Sequence, residues 1–297
     1  MRKNISVKLF AMMLAVMMVL SLAACGGRDV SSAPAESKKP SSSASAEKPS
    51  DKKDSSEAAK PADKPENKPA ADEEVHRVFQ IEKVDAARQK NVDTAGWLYV
   101  PNTTIDDPVM QSTDNEAYLR TTEDGQYDIY GSYFADYRNL LDLGRKHMSR
   151  NTIIYGHSDY KDNPDGKKFS QLYHYAKDID FVRNNPYIYF STAEEDMVWK
   201  VFAVFYTHTD FYYINANPTD EEFEAMIKEA VAKSEYIIDE EIGPDDKILT
   251  LSTCTGLFKQ PKENYRMAVM AKLMPTSEIP VSQLTMEVAP NPNPLRD

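Results

Sequence analysis

Three residues at the ends of apolar runs carry groups able to pass an acyl chain between nucleophiles. Cys254 closes the run Lys247-Ile-Leu-Thr-Leu-Ser-Thr-Cys254 and is followed by Thr255 and Gly256, where the chain must turn. His157 follows Gly156 at the end of a second run, Asn151-Thr-Ile-Ile-Tyr. Arg266 stands at the mouth of a third, Met267 to Leu273. A thiolate is the attacking form of cysteine, and a free thiol with a pKa near ~8.5 is mostly protonated at neutral pH, so nearby positive charge favours ionisation. An imidazolium can donate the proton that a departing amine needs. A permanently charged guanidinium and backbone N–H groups can hold the negative charge that develops on the carbonyl oxygen. If the strands bearing Cys254 and Arg266 pair as neighbours, thiol and guanidinium face one groove.

Each type also has an ordinary reading. The chain has two cysteines, Cys25 and Cys254. An unpaired thiol outside the cytoplasm is a candidate reactive group, and a small buried core residue is the plain alternative. His76, His147, His174 and His208 read as surface or core residues. Arg266 taken alone is a solvated charge beside a strand. The aromatic stretch 205–213 serves equally as barrel packing or as the wall of a peptide groove. The five histidines show no short metal-ligand spacing, and neither a metal nor another cofactor is expected. With 35 Lys and Arg against 47 Asp and Glu, the net charge is −12; no basic stripe is present to meet phosphates, which argues against nucleic-acid binding.

The elements that must position these groups occupy only part of the 297 residues. Residues 1–25 have a basic start, an apolar run and then Leu22-Ala23-Ala24-Cys25, the layout of a secretory signal. The run is short for a membrane span, which wants ~20 apolar residues. Small residues before the cysteine resemble the bacterial lipobox, in which that thiol is lipidated and the mature chain starts there. An uncleaved apolar anchor is the alternative; either reading puts the rest of the chain outside the cytoplasm. Residues 26–74 are Ser, Ala, Lys, Pro, Asp and Glu with few aliphatics, too polar to offset the entropy of ordering, and read as a flexible tether.

From Val75 the composition changes. Val78, Phe79, Ile81 and Val84 give a loose helical pattern, and short apolar stretches then alternate with turn residues at 97–100, 130–134, 152–155, 187–190, 198–206, 248–251 and 267–273. This spacing predicts a mostly β domain, a barrel or sandwich. Thr219 and Glu222 form a capping box ahead of Phe223, Met226, Ile227, Ala230 and Val231, which predicts an amphipathic helix over 220–234. The folded part is one domain, 75–275, and the proline-rich 276–297 reads as a poorly packed tail.

The blocks Thr250-Leu-Ser-Thr-Cys254 with Arg266 beyond, and Ile153-Ile-Tyr-Gly-His157, resemble the signature blocks of sortases. Gly96-Trp97 to Pro101-Asn102, Asp107-Pro108-Val109, Thr113-Asp-Asn-Glu-Ala-Tyr-Leu119, and Gly131-Ser132 with Asp136-Tyr-Arg-Asn139 are similar to class B in particular. The resemblance implies an α+β, mostly β fold: an eight-stranded barrel preceded by N-terminal helices, with a helix before the cysteine strand. It implies transpeptidation at an Asn-Pro-x-Thr-like sorting signal near the C-terminus of a secreted protein. Cys254 would form the thioacyl-enzyme, His157 would act as acid and base, Arg266 would hold the oxyanion, and an amine of peptidoglycan or its precursor would resolve the adduct. Asn115, Leu119, Tyr213, Ile214, Ser252 and Thr253 fall in matching blocks as groove candidates. Thr255 departs from relatives with an acidic group there, and a lipidated Cys25 departs from the usual transmembrane anchor. No Ser-x-Gly-Cys block of an L,D-transpeptidase occurs, and a papain-like cysteine would open a helix. A catalytically weak surface lipoprotein on the same fold is the competing reading. The expected location is the outer face of a bacterial membrane of Gram-positive type.

Overall fold

The computed structural model describes residues 79–142, 144–159, 161–258, 264–275 and 286–290, with the backbone of 75–76 and 279–280. Cys25, the signal and the tether lie outside the described residues.

Eight strands close into a barrel. In chain order they are β1 (Thr94–Tyr99), β2 (Asp106–Met110), β3 (Tyr133–Ala135), β4 (Asn151–Tyr155), β5 (Tyr187–Ser191), β6 (Val198–His208), β7 (Ile248–Cys254) and β8 (Tyr265–Leu273). Their order around the barrel is β8-β6-β5-β1-β2-β3-β4-β7, with β7 pairing back onto β8. Six pairs are antiparallel; β2 with β3 and β4 with β7 are parallel. Closure leaves no strand edge unpaired around the ring.

Seven of these strands overlap the apolar stretches of the sequence, and β2 does not. Its Asp106, Asp107 and Pro108 are residues that strands ordinarily avoid. Only Asp106 is exposed, accepting from Trp97 Nε1 at 2.6 Å and from Lys83 at 2.7 Å; Asp107 is half-buried and Pro108 is buried.

Side chains alternate across each strand, so one parity fills the barrel and the other faces out. On β7, Leu249 and Leu251 join the interior, as do Met267, Val269 and Ala271 of β8 and Ile154 of β4. The opposite parity of β8, Ala268 and Met270, packs outside against a helix.

That helix, Asp220–Lys233, buries Phe223, Met226, Ile227 and Ala230 on the barrel wall. Thr219 accepts the Glu222 N–H and the Glu222 side chain accepts the Thr219 N–H, completing the capping box; three acids in the first turn and Lys233 in the last suit the helix dipole. Val231, expected on the apolar face, is exposed. A second helix, Ile81–Lys90, precedes β1 and inserts Val84, whereas Phe79 stays exposed before it. Met286–Val288 pairs antiparallel with Tyr236–Ile238, so that part of the expected tail lies on the domain.

Candidate active site

Strand register brings the three reactive side chains to one place. Arg266 lies directly across from Cys254 in the antiparallel β7–β8 pair. On the other side of β7 runs β4, parallel, with Tyr155 in register with Ser252. His157 is as far beyond Tyr155 as Cys254 is beyond Ser252, so the histidine follows the end of a strand that runs ~5 Å from the cysteine strand. The Gly156 N–H reaches the Ser252 carbonyl at 3.4 Å, extending that pairing past the strand end. Cys254 thus occupies the middle of the trio.

Parity decides which way the thiol points. Cys254 shares its face of β7 with Thr250 and Ser252, whose hydroxyls meet β4 and the segment after β6. Ser252 Oγ lies 2.8 Å from the Tyr213 hydroxyl, and Thr250 bonds Asn151, whose amide donates to the Tyr213 and Asn215 carbonyls. The sulfur therefore opens onto an outer groove, not into the barrel. Cys254 is half-buried and free.

The groove is a cavity of about 300 Å³, lined by Cys254, His157 and Arg266. All six groove candidates, Asn115, Leu119, Tyr213, Ile214, Ser252 and Thr253, line it too. Their tasks there differ. Leu119 and Ile214 offer apolar wall. Asn115 gives Nδ2–H to Asp136 at 3.0 Å and accepts the Tyr137 N–H at 3.0 Å, so much of its amide is committed to its own loop. Thr253 donates to the Gly156 carbonyl at 2.8 Å and stitches the cysteine strand to the histidine turn. Burial pushes the Tyr213 hydroxyl up to about 12, so it stays protonated on Ser252.

Phe134, Tyr155, Gly156, Thr209 and Phe211 complete the lining; of these, Thr209 and Phe211 belong to the stretch 205–213 read as a possible groove wall, and Phe134 was not expected there. Tyr155 was legible as the residue before Gly156-His157 on the same strand face as Asn151. The aromatic stretch divides: Phe205 and Tyr206 are buried in core clusters, while Phe211 and Tyr213 also border the groove.

The reactive groups are held in place by neighbours distant in sequence. The Cys254 carbonyl accepts from Ser158 Oγ at 2.6 Å and from the Tyr173 hydroxyl at 2.7 Å. The Thr255 N–H, next after the sulfur, is taken by the Tyr265 carbonyl at 3.3 Å, and Arg266 Nη1 donates to that same carbonyl at 3.0 Å. The Tyr265 carbonyl thus engages both the backbone after the sulfur and the guanidinium opposite it. Asp162, buried on the His157 loop, accepts the Thr255 hydroxyl at 2.6 Å and the Gly256 N–H at 3.0 Å, tying together the loops after β4 and β7.

His157 Nε2 stands 3.0 Å from the Leu119 carbonyl and 2.9 Å from Arg120 Nη1. Burial and then the Arg120 charge push its pKa down, and the Leu119 carbonyl draws it partly back. The remaining histidines have other surroundings: His174 stacks on Phe181, and His208 pairs with Asp210. Among the described residues no group of three His, Cys, Asp or Glu side chains could hold a metal ion.

A sortase domain model matches residues 98–274, more than half of the chain. The chain belongs to the sortase family. Sortase B of Listeria monocytogenes is 35% identical over 185 residues, covering 62% of this chain and 71% of that protein. The Staphylococcus aureus sortase B–substrate complex superposes with a TM-score of 0.57 at 28% identity, covering 65% of this chain and 85% of that one. Sortase B complexed with triglycine gives a TM-score of 0.58 at 28% identity, over 66% and 86%. These relatives are class B sortases, and the activity is that of the family, cysteine transpeptidation. The closed eight-stranded barrel is the fold of these sortases.

Proposed function

We propose that Cys254 is the nucleophile of this sortase, His157 its general acid and base, and Arg266 its oxyanion donor. The observation that carries this reading is the pairing of Arg266 opposite Cys254, with His157 just past the end of the parallel strand beyond and all three lining one cavity. The Cys254 thiolate attacks the threonine carbonyl of an Asn-Pro-x-Thr-like sorting signal. The carbonyl π pair moves onto oxygen, where Arg266 stabilises it. Collapse expels the amine of the next residue, which takes the proton of the His157 imidazolium, and leaves a thioester. A second amine, deprotonated by His157, attacks that thioester and releases the thiolate. The bound substrate and the triglycine ligand of the similar sortase B structures suit these two half-reactions.

The acceptor is an amine of peptidoglycan or its precursor, and the donor a secreted protein with a C-terminal sorting signal. Leu119, Ile214 and Tyr213 receive the apolar part of the signal, with Ser252 and the remaining Asn115 N–H as polar contacts. Residues 1–25 act as a lipoprotein signal, and Cys25 bears the lipid that holds the enzyme on the outer face of the membrane. The tether 26–74 lifts the catalytic domain 75–275 off that surface. No helix among the described residues is long and apolar enough to cross a membrane.

The purified protein should cleave a fluorogenic Asn-Pro-x-Thr peptide and, with triglycine present, release the ligated product. Cys254→Ala should do neither. Absence of cleavage across a panel of such peptides, together with failure of thiol reagents to label Cys254, would instead support the binding-lipoprotein reading.

A further inference from the structure

Two neighbours of His157 make incompatible demands on one nitrogen. The Leu119 carbonyl, 3.0 Å from Nε2, can only accept and so requires Nε2–H. The Arg120 guanidinium, 2.9 Å from the same atom, can only donate and so requires the Nε2 lone pair. An imidazolium would turn an Nε2–H toward an arginine N–H and add a second positive charge beside a group that never loses its own. Arg120 is also anchored, since Nη1 donates to the Ile129 carbonyl beyond the turn closed by the Thr121–Tyr127 bridge.

The other charged or titratable groups near the ring do not cancel this effect. Cys254 and Arg266 share the cavity from β7 and β8. On the histidine's own loop, Asp159 accepts the Tyr130 hydroxyl at 2.5 Å, and Asp162 is bonded to Thr255 and Gly256. Among the described residues no carboxylate hydrogen-bonds the imidazole, the partner that commonly orients a catalytic histidine.

We propose that Arg120 is a positioning residue for transpeptidation: its guanidinium fixes the His157 ring and opposes the imidazolium, so that the imidazolium gives up its proton more readily to the departing amine. The depressed proton affinity of His157, caused by burial and by Arg120, agrees with this. The inference rests on the reading of His157 as general acid, and the test separates the two.

The pH dependence of kcat/KM would be measured for the parent, Arg120→Gln and Arg120→Lys. The His157 ring would be titrated by NMR in the Cys254→Ala background of each. The limb of the profile that coincides with the ring titration reports His157, so removing the positive neighbour should shift both that limb and the ring titration upward. Lysine, which keeps the charge, should leave both closer to the parent. A ring titration unmoved by glutamine, or moved equally by glutamine and lysine, would overturn the inference. A ring that moves while the kinetic limb stays fixed would uphold it and overturn the assignment of His157 as general acid.

Discussion

Arg266 and Cys254 face each other across two paired strands, so the guanidinium can meet the oxyanion without a loop having to close. Arg266→Ala should therefore lower kcat by roughly 10²–10³-fold, the usual cost of losing one oxyanion donor. Arg266→Lys should recover only part of that, because an ammonium keeps the charge and loses the planar fork. Steady-state kinetics on a peptide substrate reads both. Equal activity of the alanine variant and the parent would remove Arg266 from the chemistry. The sequence made the trio legible because each member ends or opens an apolar run. It did not reveal what restrains them. Ser158, Tyr173, Asp162 and Arg120 act through contacts made across the fold, and no local pattern marks a side chain whose partner is distant in the chain.

At the scale of elements, periodicity located seven barrel strands and the helix Asp220–Lys233 with its cap, because apolar alternation and a capping box are local properties. It missed β2, where packing within a closed ring overrides the poor strand preference of Asp and Pro. It also left unread the reason why the 111–132 connection lies against the site. Gly131 has φ +53°, and a Cβ there would sit 2.2 Å from the Tyr118 carbonyl oxygen, so that turn requires glycine. Further along, Asp136 joins the connection to β4. Burial alone would raise its carboxyl pKa, but bonds from Arg138, Tyr155 and Asn115 outweigh this and leave it lowered. A carboxylate depressed in the folded state stabilises fully above its unfolded pKa of roughly 4, and that stability is lost as pH falls through the lower folded value. Urea unfolding followed from pH 6 downward (roughly the plateau for carboxylates) should show an acid-dependent loss that Asp136→Asn makes shallower. An unchanged slope in that variant would mean that Asp136 is not a source of the acid sensitivity.

For the whole molecule, a closed barrel provides a rigid rim, and the site is built where two parallel strands and one antiparallel neighbour end together. On the proposed reading, the chain before residue 75 holds that rim near its clients. If Cys25 carries the lipid, Cys25→Ala should move the protein expressed in a bacterial host from the detergent to the aqueous phase. Unchanged partitioning would favour an uncleaved apolar anchor. The central claim, however, concerns the sulfur. Mass spectrometry of the protein quenched during turnover of an Asn-Pro-x-Thr peptide should find the peptide's N-terminal portion joined to Cys254 as a thioester, discharged by hydroxylamine or triglycine. Turnover with no acyl group on Cys254, or with the acyl group on another residue, would contradict the account.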